Sequence, residues 1–334
     1  MQGKLFELDP AEQILLADRL QQRRMIGGHM CPDRADHLVV AVPASHVTAL
    51  APDRLCHRTT PSVPYRHPRS IATGSRDIAT MMAVTLASPT QRIQVCGALA
   101  VERDGQRLDP ALPGRQGRVL FVYLVVNRHR QVSRDELAEA LWREPDPAAV
   151  DARLNPLLSK LRRVLGPTSV EGRSLLRLNL PDTWVDLEAA VESIHRAESA
   201  AAQHEWTRAW GPVLVALFTA ERGFLPGEDA PWITAIRDQL TELRLRALEC
   251  YAATELALGG TELAGAVRAG RQLVQLAPLR ESGYRHLMQA LAAQDNLAEA
   301  LTVYEQLCQR LREQLGVSPS PATRQLHHQL LSTT

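Results

Sequence analysis

Residues 153–167 read RLNPLLSKLRRVLGP, and within them Ser159, Lys160, Arg162 and Arg163 fall inside five positions. Cations so close together suit phosphate oxygens, and arginine's planar fork can also grip a guanine edge through two bonds. Pro156 sets where a helix here begins. In a helix interior a proline removes a hydrogen bond at a cost of about 3 kcal/mol, whereas at the first position it costs nothing. The sequence therefore predicts a helix from Pro156 to Leu165 with Asn155 as its cap, preceded by DPAAVDARL as a separate turn or short helix. At roughly 100° per residue, Leu157, Leu158, Leu161, Val164 and Leu165 share one arc. Ser159, Lys160, Arg162 and Arg163 fill the opposite one. A solvated basic face would have the same composition, so the flanking elements must separate the two readings.

Those elements are recognisable. IQVCGALAVERDGQRLDP alternates in short runs, with Asp104-Gly105 as a hairpin turn signal. GRQGRVLFVYLVVNRHR follows as a buried helix, apolar at Val119, Leu120, Tyr123, Leu124 and Val126. In VSRDELAEALW, Ser133 caps a second helix, Glu136 is placed to reach back in a capping box, and Val132 and Leu137 form a hydrophobic staple. The basic helix is the third, and Gly166-Pro167 stops it. TSVEGRSLLRLNLP then reads as two strands around a turn at Glu171-Gly172-Arg173. A capped helix, a connection, a basic helix and a hairpin are the order of a winged helix-turn-helix. In that fold the second helix of the motif enters the major groove and the wing touches the backbone. Ser159, Lys160, Arg162 and Arg163 are thus candidate DNA contacts, with Asn155 a further one. Arg173 at the turn is a candidate wing contact. Arg115, Arg128 and Arg130 flank the first helix and read as solvated helix ends. From residue 115 to 163 there are ten basic residues against six acidic, a moderate local excess.

Elsewhere the chain has little that resembles catalytic chemistry. His327-His328 has no cysteine or carboxylate at ligand spacing, and His204-Glu205 lacks the second histidine of a zincin motif. With only two lysines, Lys4 and Lys160, no phosphate-binding G-x-x-x-x-G-K-[ST] loop exists. The five cysteines, Cys31, Cys56, Cys96, Cys250 and Cys308, are scattered and read as reduced thiols. No enzymatic activity, cofactor or metal is expected. Trp142, Trp184 and Trp232 read as core anchors. A chain of 334 residues, 45% hydrophobic and 22% charged with net charge +1, is long enough for two or three domains. It has neither an apolar run long enough to span a membrane nor a signal-peptide start, so a cytoplasmic protein is expected.

Three zones differ in texture. Residues 1–85 hold seven prolines and one short helical pattern, PAEQILLADRLQQRRM; they are expected to be poorly structured. Met81 or Met82 offers an alternative translation start, and a flexible arm is the other reading of the same zone. Residues 91–182 hold the strands, three helices and hairpin. Residues 186–334 are helical throughout and contain an internal repeat. Leu263, Ala264, Ala266, Val267, Gln272 and Leu273 match Leu297, Ala298, Ala300, Leu301, Gln306 and Leu307 at an offset of 34 residues. That is the period of a tetratricopeptide helical pair. The expected fold class is therefore mixed and mainly α: a winged helix-turn-helix followed by an all-α tetratricopeptide-like domain.

With these residues in view, the chain resembles the SARP/AfsR-type bacterial regulators, in which an OmpR/PhoB-type winged helix precedes a bacterial transcriptional activator domain. The resemblance is carried by VSRDELAEALW, LLSKLRRVLG, LRLNLPDTWVDLEAA and GFLPGEDAPWI. The segment from LAPLRESGYRHLM to ATRQLHHQLL continues it, so that about residues 91 to 332 are covered. The proline in RLNPLL departs from the continuous helix of many relatives. With no nucleotide-binding domain following, the chain resembles the short form of the family. The resemblance implies sequence-specific binding to double-stranded DNA and transcriptional activation through RNA polymerase, with a homodimer or side-by-side pairs on direct repeats. The competing expectation is a helical-repeat adaptor that binds another protein and whose winged helix does not read DNA.

Overall fold

The computed structural model describes residues 89–332; the expected extension over residues 1–85 and the alternative starts at Met81 and Met82 lie outside them. The fold is mainly helical with a few short strands. Strand β1 (Gln91–Gln94) pairs antiparallel with β2 (Ala100–Arg103), which turns back into β3 (Gln106–Arg107). The turn is the expected Asp104-Gly105, with φ of 50° and 77° at its two residues. Such positive values match the twist of a two-residue hairpin.

Helix α1 (Gly114–Val126) is buried from Val119 through Val125, as its unbroken apolar run requires. Strand β4 (Val132–Ser133) leads into α2 (Arg134–Leu141), whose first turn is capped by Ser133: its Oγ accepts from the Glu136 N–H at 3.1 Å. Val132 and Leu137 are both buried, as the staple predicts. The capping box is only half formed. Glu136 turns aside to accept from Tyr123 Oη at 2.6 Å and from Arg130, while Ser133 is held in the ladder opposite Leu175.

The third helix differs from expectation. Helix α3 runs Val150–Leu165 with Pro156 inside it, so the segment expected as a separate turn supplies its first turns. Val150 and Leu154 extend the buried arc of Leu158, Leu161 and Leu165 by a full turn. Burying two more apolar side chains contributes enough to offset the proline, at about 1.5–3 kcal/mol each. Pro156 also lies on the exposed side, where the Ala152 carbonyl that it leaves without an N–H donor can be hydrated.

Gly166 ends α3 at φ 107°. Strands β5 (Val170–Glu171) and β6 (Leu175–Leu178) form the expected hairpin, and β6 also pairs with β4. Strand β7 (Thr183–Val185) returns to the first sheet and runs parallel to β1, giving the order β3-β2-β1-β7.

From β7 the chain passes directly into helices α4 (Asp186–Ala202), α5 (Trp206–Glu221) and α6 (Pro231–Leu258). Then follow α7 (Leu263–Leu276), α8 (Glu281–Ala293), α9 (Leu297–Leu315) and α10 (Pro321–Ser332). The 34-residue repeat maps onto α7 and α9, which start at the matched Leu263 and Leu297. The matched Ala266 and Ala300, and Leu273 and Leu307, are all buried, while Gln272 and Gln306 are exposed. One position breaks the match for a packing reason. A Cβ on Gly270 of α7 would sit 2.9 Å from Leu287 Cα, so α8 crosses there at close range. Its counterpart Tyr304 instead stacks on His327 of α10, with ring centroids 3.9 Å apart. His327 is accordingly half-buried, not part of a plain surface pair.

One hydrophobic core runs from Ile93 through α1–α3 and the hairpin to Leu273, and a second joins α7 to α10. At the join, the fully buried Asp186 carboxylate accepts the N–H groups of Val95 at 2.8 Å and Cys96 at 3.1 Å, and a guanidinium N–H of Arg222 at 3.0 Å. Burial, the largest influence, pushes its carboxyl up to about 6. Trp232 of α6 stands edge-on to Tyr123, centroids 5.0 Å apart, and donates from Nε1 to the Ala140 carbonyl at the end of α2. Helices α1 and α2 therefore rest on α4–α6.

Candidate nucleic-acid interface

Helix α3 packs its apolar arc on α1 and α2 and turns the other arc outward. Asn155, Pro156, Ser159, Lys160 and Arg163 are exposed along it. From residue 152 to 165 the helix carries no acidic side chain. The outward arc thus keeps a positive field close to the surface, which is what a phosphate backbone requires. Asp151, one turn earlier, is paired with Arg134 at 2.7 Å.

The candidate residues do not all stand alike. Ser159, Lys160 and Arg163 point outward together. Arg162 lies at the margin of the arc, half-buried, and donates from Nε to the Val170 carbonyl at 3.0 Å and from Nη2 to the Gly172 carbonyl at 3.4 Å. Asn155 is not a helix cap, because α3 begins five residues earlier; its Oδ1 accepts from Arg134 Nη2 at 2.5 Å. A bidentate grip on adenine needs an amide's oxygen and nitrogen together. Arg134 occupies one lone pair of that oxygen, which leaves the second lone pair and both N–H donors of the Asn155 amide.

Arg173 is exposed at the hairpin turn, beside the outward arc. Gly172 makes that turn possible: its φ is 87°, and a Cβ there would lie 1.8 Å from the Leu175 carbonyl oxygen. Between the first half of α3 and the turn lies a cleft of about 550 Å³ lined by Arg134, Asp151, Asn155, Arg162, Arg173 and Ser174.

The arginines flanking α1 are ion-paired in the structure; Arg115 and Arg130 stay exposed, in keeping with solvated ends, whereas Arg128 is half-buried and departs from that reading. Arg128 forms two bonds to Glu188 of α4, Arg115 meets Glu228, and Arg130 meets Glu136. Glu136, held by Arg130 above all, stays below the usual carboxylate range, and burial beside it pushes the Tyr123 phenol up to about 12. Among the tryptophans, Trp142 is buried with the Arg153 guanidinium 4.0 Å above its ring, whereas Trp184 and Trp232 are half-buried.

Sequence reasoning missed Arg134. It occupies the first position of α2, where the helix dipole disfavours a cation. A basic residue directly after the Ser133 cap was the available signal that another partner holds it. Its three bonds reach Asp151 and Asn155 of α3 and the backbone carbonyl of Arg173.

Among the described residues no group of His, Cys, Asp or Glu is arranged to hold a metal ion, and no helix is long and apolar enough to cross a membrane.

Residues 185–331 match the family described as Bacterial transcriptional activator domain. The regulatory protein AfsR of Streptomyces coelicolor is 32% identical over 243 residues, which cover 72% of this chain and 24% of AfsR. The transcriptional regulatory protein EmbR of Mycobacterium tuberculosis is 29% identical over 257 residues, 70% of this chain and 62% of EmbR. MoaR1, a transcriptional regulatory protein of the same organism, is 27% identical over 270 residues, 75% of this chain and 82% of MoaR1. The chain therefore spans about a quarter of AfsR and about three fifths of EmbR. Among solved structures, that of Mycobacterium tuberculosis EmbR in complex with a low-affinity phosphopeptide superposes with a TM-score of 0.64. It is 24% identical, and the match covers 73% of this chain and 66% of that one.

Proposed function

We propose that this chain, which belongs to the SARP/AfsR-type bacterial regulators, is a sequence-specific DNA-binding transcriptional activator of the cytoplasm and not an enzyme. Residues 91–182 act as a winged helix-turn-helix, with α2 and α3 as the motif and β5–β6 as the wing. Residues 186–334 act as the activator domain, with α7–α10 stacked as tetratricopeptide-like pairs. The observation that carries the reading is the uncovered, acid-free basic arc of α3 lying beside the exposed Arg173 of the hairpin.

In this reading Ser159, Lys160 and Arg163 enter the major groove, and Arg173 meets the backbone or minor groove. Asn155 donates from its amide, and Arg162 contributes at the edge, through the hairpin that it holds. The names of AfsR, EmbR and MoaR1 support transcriptional regulation as the outcome. RNA polymerase is the partner proposed for activation, and a homodimer is the proposed assembly on DNA.

Mobility-shift titration of the full chain against genomic fragments, repeated over a range of salt, tests this. Wild type is expected to bind a subset of fragments selectively and to weaken as salt rises. Each phosphate contact contributes about 0.9 to the slope of log affinity against log salt. Lys160→Ala with Arg163→Ala should flatten that slope by about two contacts' worth and abolish selectivity while the melting temperature holds. Binding without salt dependence or selectivity refutes the proposal.

A further inference from the structure

Arg134 and Arg162 have a shared geometry that the sequence does not reveal. The β5–β6 hairpin is short: β5 has two residues, and β6 meets β4 over only two pairs, Val132 with Leu176 and Ser133 with Leu175. Such brief ladders leave the turn itself weakly fixed. Three of its carbonyls are instead held by arginines from two helices. Arg162, in the last turn of α3, reaches Val170 and Gly172; Arg134, at the start of α2, reaches Arg173. The same Arg134 guanidinium holds Asp151 and Asn155, so one planar group joins α2, α3 and the turn.

Stability alone is a poor account of Arg134. Its ion-pair partner Asp151 is mostly exposed, and exposed pairs contribute little. The dipole at the start of α2 disfavours the cation as well. What the arrangement supplies is a fixed offset between the turn that bears Arg173 and the outward arc that bears Ser159, Lys160 and Arg163. A pre-set arrangement lowers the ordering cost of binding.

We propose that Arg134, seconded by Arg162, is a positioning residue that locks the hairpin turn to α3, so that Arg173 and the α3 cations engage one duplex together. This rests on the DNA-binding reading above. The lock holds backbone carbonyls and leaves the Arg173 side chain outward. Removing it therefore costs the Arg173 contact while Ser159, Lys160 and Arg163, none of which Arg134 touches, keep theirs.

A double-mutant cycle on the full chain tests the lock. The probe is a duplex selected from a random-sequence pool by the wild-type protein, and affinity is measured at several salt concentrations. Arg173→Ala alone should weaken binding roughly tenfold, the scale of one charged contact, and flatten the salt slope by about 0.9. Arg134→Ala alone should do nearly the same with the melting temperature within a few degrees of wild type. The double variant should be no worse than either, because the contact is lost once. Arg134→Lys, which restores the cation but not the planar fork, should recover part of the affinity. Amide exchange at Gly172–Leu175 should quicken in Arg134→Ala and hold in Arg173→Ala.

Additive losses in the cycle, or unchanged exchange at the turn in Arg134→Ala, overturn the lock while the DNA reading stands. If wild type selects no duplex, the DNA reading is what has failed and the positioning role falls with it. In that case the exchange measurement still shows whether Arg134 holds the turn.

Discussion

Replacing Pro156 by alanine tests the reading of α3 directly, because the two possible starts of the helix give opposite signs. If the helix began at Pro156, the proline would sit at the first position, where its fixed φ is favourable and its missing N–H is no loss. Pro156→Ala would then leave stability unchanged or lower it slightly. In the structure Pro156 is the seventh residue of a helix running Val150–Leu165. Its ring nitrogen cannot donate to the Ala152 carbonyl, and alanine restores that donor. A recovered helix hydrogen bond contributes about 0.5–1.5 kcal/mol, and the full propensity difference between proline and alanine sets an upper bound of about 3 kcal/mol. The helix already accommodates the proline on its exposed side, so a gain of about 1–2 kcal/mol is expected. For a folded region of this size each kcal/mol raises the melting temperature by about 2–4 °C. Thermal unfolding followed by circular dichroism, with urea titration beside it, should therefore show Pro156→Ala melting roughly 2–8 °C above wild type. An unchanged or lower melting temperature refutes the continuous helix and returns its start to Pro156.

Two further outcomes follow from the packing. Asp186 has a folded pKa of about 6, raised by burial above the ordinary carboxylate value near 4. Its contribution is therefore fully present below about pH 4 and is lost as pH rises through 6; urea titrations across that window should show wild type losing up to about 3 kcal/mol relative to Asp186→Asn, and parallel profiles would refute the assignment. Gly270→Ala places a methyl group 2.9 Å from both Leu287 Cα and Cβ. Overpacking of about 1–3 kcal/mol should outweigh the helix-propensity gain of about 1 kcal/mol, so equilibrium unfolding should show net destabilisation, and a stabilised variant would show that α7 and α8 do not cross there.

The sequence made the secondary elements legible wherever local chemistry decides them. Ser133 before an apolar pattern marked α2, Asp104-Gly105 marked the first hairpin, and Gly172 marked the second turn. The repeat was legible because Ala266 and Ala300 must be small and Leu273 and Leu307 must be large at equivalent crossings. The start of α3 was misread because a local rule about proline was weighed without the burial of Val150 and Leu154, which only the fold supplies. The basic face was visible in composition. The division of labour on it was not, since whether an arginine meets solvent or a protein oxygen depends on residues outside the element that bears it. Arg162 finds Val170 and Gly172, Arg128 finds Glu188 sixty positions away, and Arg134 finds the Arg173 carbonyl.

Those long-range bonds also bear on how the proposed interface is held. Helix α2 ends against Trp232, which donates to the Ala140 carbonyl, and α1 is tied to α4 through Arg128 and Glu188. Strand β7 leads straight into Asp186, whose carboxylate fastens the backbone after β1 to Arg222 at the end of α5. The proposed reading helix therefore rests on α1 and α2, and these in turn on the helices that match the activator domain. A flexible linker would let the two halves orient independently, as is the default between domains. Here the apolar core is continuous from Ile93 to Leu273, and polar bonds cross it at Asp186, Arg128 and Trp232. The position of α3 and its hairpin is thus set by α4–α6 as well as by the local motif.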